Sequence, residues 1–92
     1  MLERTPSTQA LALPENIRTR AKGVRPLLRT VGEAIRLIDR ELPVELRSLP
    51  RWTFARALLV HAERSRKQRD LICAARQLRQ ALSNEGWLAE ED

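Results

Sequence analysis

His61 is the sole histidine of the 92-residue chain and Cys73 its sole cysteine. A histidine acts as acid or base only with a carboxylate or nucleophile within hydrogen-bond reach. Glu63 lies two residues on, and on a helix that offset turns it away from His61. His61 therefore reads as a surface or helix-edge residue. Structural zinc takes about four ligands, so one Cys and one His build no site within a single chain, and only a site shared across a dimer would suffice. Cys73 sits off the centre of an apolar helical stripe, with Arg69 and Arg76 spaced to favour a thiolate. No partner histidine is indicated, and a small packing residue is the stronger reading. The glycines stand at 23, 32 and 86, too scattered to cradle phosphate. No Ser-His-Asp grouping stands out. The residue types thus offer no catalytic, cofactor or metal site, and no enzyme or small-molecule substrate is expected.

Two other sets of side chains could meet a partner. Net charge is +5, unevenly placed: residues 1–46 balance at +2, residues 47–83 at +7 and residues 84–92 at −4. Arg64, Arg66, Lys67, Arg69, Arg76 and Arg79 crowd the last two expected helices and are the candidate nucleic-acid contacts, since guanidinium forks suit phosphates. Glu63–Lys67 and Arg66–Asp70 are spaced to quench part of that field. Arginine outnumbers lysine 15 to 2, as GC-rich coding would also produce, and a solvated basic face remains the simpler account. The second set is Trp52, Phe54 and Trp87, the only aromatics. They are bulky for a chain whose core is thin at this length. Any that the core fails to cover would mark an interface.

The elements that position these residues are set by periodicity. Residues 1–13 are turn-rich and polar and read as a flexible arm. Ile17-Arg18-Thr19-Arg20 alternates as a half-buried strand does. Gly23 suits a turn, and Leu27-Leu28-Arg29 returns as a second strand, at an edge because Pro26 lacks an amide donor. Thr30 with Glu33 forms a capping box, after which Val31, Ala34, Ile35, Ile38 and Leu42 share one helical face. Pro43 stops that helix. Ser48 is placed to cap the next, over 50–64, with Pro50 in its first turn. Its stripe is Trp52, Ala55, Leu58, Leu59 and Ala62, widened by Phe54 and Ala57. Ser65 with Gln68 repeats the capping pattern and opens a third helix over 66–84, whose face is Leu71, Ala74, Ala75, Leu78, Ala81 and Leu82. Gly86 suits a left-handed cap. The expected fold is α+β, a small N-terminal β-ribbon packed on three helices, with an all-α three-helix bundle as the alternative. Residues 14–88 form one domain and 89–92 an acidic tail.

The ribbon, Thr30-Val31-Gly32-Glu33-Ala34, Leu42-Pro43-Val44-Glu45, Arg47-Ser48 and the two helices ending near Glu85-Gly86 resemble the domain of unknown function family 982, over about residues 15–88. The pattern departs from that family's Trp at Leu42, Cys near Leu59 and Gly near Ser65. The resemblance implies a small bacterial protein with a strand pair and helices, and it carries over no functional residue.

No apolar run approaches the roughly 20 residues of a membrane span, and the first residues lack the order of a signal peptide. A cytoplasmic location is expected. The functional expectation is a non-catalytic protein-interaction module, self-association included, with a protein partner or a homodimer. The alternative is a nucleic-acid-binding protein.

Overall fold

The computed structural model describes residues 10–89. Most of the expected arm and of the acidic tail lies outside that range. Two strands, β1 (Ala12–Arg18) and β2 (Leu27–Thr30), form an antiparallel pair on which the helices pack, an α+β fold. The strand starts at Ala12, inside the segment expected as an arm, because Leu13 reaches the core and is buried. Between Ala12 and Ile17 the pairing register slips. Pro14 lies in that stretch, and having no amide it cannot continue a ladder. Lys22 and Gly23 turn the chain, with Val24 N–H bonded to the Ala21 carbonyl and Gly23 at φ +81°, the sign a type II turn requires at its third position.

The sheet is wider than the hairpin. Thr19 bridges Leu88 on the far side of β1, through Arg20 N–H to the Trp87 carbonyl and Ala89 N–H to the Arg18 carbonyl. β1 is thereby flanked on both edges. The outward side of β2 and of the turn before it is capped by side chains: the amides of Arg25, ahead of the strand, and Arg29, within it, donate to the carboxylates of Glu41 and Glu33 at 2.9 and 2.7 Å. Two donors that would otherwise invite another strand are spent.

Helix α1 (Val31–Arg36) begins as its capping pair requires, with the Glu33 amide donating to the Thr30 hydroxyl at 3.1 Å. The reciprocal arm shifts by one residue, since the Glu33 carboxylate takes the Arg29 amide rather than that of Thr30. A π turn, Leu37–Glu41, continues the helix, and the Leu42 amide reaches back five residues to Leu37. Leu37, outside the expected stripe, is fully buried, while Ile35, inside it, is only half-buried: the buried arc of the helix runs through Val31, Ala34, Ile38 and Leu37, to one side of the expected stripe. A short helix, α2 (Val44–Arg47), fills the expected connection, and Arg47 Nε donates to the Leu42 carbonyl at 3.0 Å.

Helices α3 (Pro50–Ser65) and α4 (Gln68–Asn84) pack as an antiparallel hairpin: Trp52 at the start of one meets Glu85 past the end of the other. Pro50 stands in the first turn of α3, but Leu49 rather than Ser48 precedes it at the cap, because Ser48 closes α2. Ser65 is the last residue of α3, since the chain reverses through Arg66 at φ +57°, and Lys67 precedes α4 as an N-cap without a side-chain hydrogen bond. The six residues expected on the inner face of α4 are all buried. They pack with Trp52, Ala55, Leu59 and Ala62 of α3, with α1 and the π turn, and with Ile17, Leu28 and Leu88 of the sheet. Each fully buried Leu or Ile contributes about 1.5–3 kcal/mol.

Candidate functional site

The α3–α4 hairpin carries His61, Cys73, Phe54 and the six candidate basic residues. Its inner face closes the core, and its end is locked by the residues after α4. Gly86, at φ +75°, ends the helix in a Schellman arrangement: the Gly86 amide bonds the Ser83 carbonyl and the Trp87 amide the Leu82 carbonyl, both at 2.9 Å. Trp87 is thereby delivered to Trp52, ring centroids 6.5 Å apart. Glu85 accepts from Trp52 Nε1 and from Arg51 Nη1, each at 3.1 Å.

The three candidate interface aromatics consequently part company. Trp52 is fully buried and is a core residue, not a contact surface; the neighbouring Glu85 carboxylate is what lets an indole N–H enter the core. Trp87 is half-buried on top of it. Phe54 alone stands out, 54% exposed. Among the described residues nothing covers the margin of α3 at Phe54 and Ala57. Phe54 and Leu58 instead line a groove of about 300 Å³ with Cys73, Arg76 and Gln77 of α4. A second groove of about 230 Å³ runs between β1 and α4, lined by Pro14, Ile17, Ile72, Ala75 and Arg79 among others. Arg76 borders both, and Ile72, 41% exposed, stands beside it on the wall of the second.

The candidate nucleic-acid residues do not share one strip. Arg64, Arg66, Lys67 and Arg69 surround the corner between the helices, Arg76 stands over the α3–α4 groove, and Arg79 turns toward β1 and is half-buried. The corner also holds a carboxylate. Asp70 accepts from the Ser65 hydroxyl at 2.6 Å and faces His61 Nε2 at 3.3 Å. The Ser65 hydrogen bond, aided by the charge of His61, holds the Asp70 carboxyl below its ordinary range. The cluster unites Ser, Asp and His, yet not as nucleophilic catalysis needs them. In a triad the imidazole stands between hydroxyl and carboxylate and takes the hydroxyl proton. Here the carboxylate is central and the hydroxyl proton points to it, so the geometry locks a corner. The histidine's partner is Asp70 across the corner rather than Glu63 on its own helix. That pairing becomes visible once residues 66 and 67 are recognised as a reversal, because residues about a turn to either side of it then face each other.

Cys73 is exposed on the groove wall. Among the described residues no group of three His, Cys, Asp or Glu side chains could hold a metal ion. No helix among them is long and apolar enough to cross a membrane. Compared with protein-family models, curated proteins and solved structures, the chain matches none.

Proposed function

We propose that the protein is a non-catalytic protein-interaction module of the cytoplasm whose docking face is the outer side of the α3–α4 hairpin. One observation carries this reading: a fold that buries Trp52, Leu59 and Leu78 completely leaves Phe54 exposed beside Leu58 on a groove walled by two helices, with Ile72 exposed on the adjoining groove across Arg76. Leaving a Phe and an Ile in water forgoes burial of about 1.5–3 kcal/mol each, and apolar surface gathered beside a groove characterises a binding face. The groove takes a side of a helix in the manner of helix-in-groove recognition.

The test is a titration followed by amide NMR shifts, using a panel of short amphipathic helical peptides with acidic, neutral or basic flanks. The expected result is saturable shifts confined to the residues around Phe54, Leu58, Cys73 and Gln77 with at least one member. If no member shifts these amides up to about 1 mM, the reading is wrong.

A further inference from the structure

The chemistry of the partner can be read from the charges around the groove. On α3 the outward residues Phe54, Ala57, Leu58 and His61 recur at helical spacing. From Phe54 to His61 the stripe runs about 10 Å at 1.5 Å per residue, or two turns of a docked helix. On α4 Arg76 lines the groove, and Arg69, seven residues earlier and therefore on the same side of the helix, continues that edge toward the hairpin corner, with Cys73 between them. Both arginines are exposed, and neither makes a hydrogen bond or ion pair within the described residues. Asp70 offsets part of the Arg69 charge, and among the described residues no acid of the hairpin lines the groove beside Arg76. Glu63 faces the opposite side, where it lines a hollow with Ile35 and Asp39. Asp70 is held by Ser65 and His61, and Glu85 by Arg51 and Trp52. The groove thus has an apolar floor and a rim of one sign.

That combination selects among occupants. A second copy docked by the same face would bring two arginine rims together, because a two-fold interface sets each patch against itself, and like charges brought together are costly. A nucleic acid would satisfy the rim and leave Phe54 and Leu58 without a counterpart. Resting on the interaction-module reading, we propose that the groove binds an acidic amphipathic helix of two to three turns. Its apolar residues, at i, i+3 or i+4, and i+7, enter between α3 and α4, and its flanking Asp or Glu side chains meet Arg69 and Arg76. Arginine forks suit carboxylates.

The experiment measures fluorescence anisotropy of labelled peptides with identical leucine positions and glutamate, glutamine or lysine flanks. It uses the full chain, Phe54→Ser and the double variant Arg69→Glu/Arg76→Glu. All three substituted positions are exposed, so unchanged circular dichroism and urea midpoints are expected and checked first. The glutamate peptide should bind about tenfold or more tighter than the lysine peptide at low salt, with the gap narrowing as salt screens the rim. Phe54→Ser should weaken all three, and the double variant should reverse the ranking. Equal binding of the three peptides overturns the acidic preference while leaving the interaction module standing; binding of none overturns both. Two further arms identify a different occupant, and either result overturns the proposal. One is a concentration-dependent dimer in sedimentation that Phe54→Ser abolishes and peptide displaces. The other is binding of a short DNA duplex that survives Phe54→Ser but not the double arginine variant.

Discussion

At the scale of single residues, Glu85 has the heaviest duty. Its Oε2 accepts from the indole N–H of a fully buried Trp52 and from Arg51 across the hairpin. A buried donor stripped of its acceptor costs about 1–3 kcal/mol. Glu85→Ala should therefore lower the unfolding free energy by roughly that amount in urea titrations. Glu85→Gln keeps a carbonyl acceptor and should recover most of the loss, because only the charged part of the Arg51 contact disappears. Equal destabilisation by both substitutions would show that the charge, rather than the indole bond, matters. Neither Glu85 nor Asp70 stands out in the sequence. Glu85 finds Trp52 at the far end of the hairpin and Asp70 finds His61 across its corner, and only the folded chain brings either pair together. Spacing already puts Trp52 in the inner stripe of α3 and Phe54 at its margin, and the fold buries the first and exposes the second; bulk alone groups them as interface candidates.

At the scale of elements, what could be read locally formed as expected. The Thr30–Glu33 cap starts α1, the inner stripe of α4 is buried throughout, and Gly86 takes the left-handed conformation. Each depends on residues within about one or two turns of one another. The elements that departed are those decided by neighbours. The core takes Leu37, outside the stripe read from spacing, and a π turn follows over Leu37–Glu41, while Leu88 bridges Thr19 just past the end of β1. Ser65, a good cap by type, is absorbed into α3 and spends its hydroxyl on Asp70. Two glycines test the local rules with opposite signs. Gly86 sits at φ +75°, and a Cβ there would meet nothing within 4 Å, so the cost of Gly86→Ala is conformational alone, about 1–2 kcal/mol. Gly32 lies in the first turn of α1 with ordinary φ, and its Cβ would meet only the Thr30 hydroxyl at 3.9 Å. Gly32→Ala should stabilise by about 0.4–1 kcal/mol, because the unfolded chain loses freedom that the helix does not use. Urea midpoints of the two variants should move in opposite directions from the wild type.

At the scale of the whole molecule, three carboxylates tie elements to one another, and each is held below its ordinary pKa. Glu33 is lowered chiefly by the Arg29 amide and joins α1 to β2. Asp39, in the π turn, is lowered chiefly by its paired hydrogen bonds from Arg56 of α3, at 2.7 and 3.0 Å. Asp70 is lowered chiefly by Ser65 and closes the hairpin corner. A carboxyl with a depressed pKa in the folded state stabilises fully at pH values above its unfolded pKa. That stabilisation is lost as pH falls through the folded one, because the unfolded chain binds the proton first. The ordinary values are 4.5 for Glu33 and 3.8 for Asp39 and Asp70. Stability should accordingly hold level from neutrality to about pH 5.5 with respect to these groups, then fall steadily toward about pH 3. The three junctions loosen over the same window, so the loss should be a single cooperative transition in urea rather than the melting of one element ahead of the others. Replacing all three (Glu33→Gln, Asp39→Asn, Asp70→Asn) should lower the midpoint at pH 7 and flatten its decline between about pH 5 and 3, because the titrating groups are gone. A triple variant whose midpoint fell with pH as steeply as the wild type would place the acid sensitivity in other carboxylates and deny these ties their role.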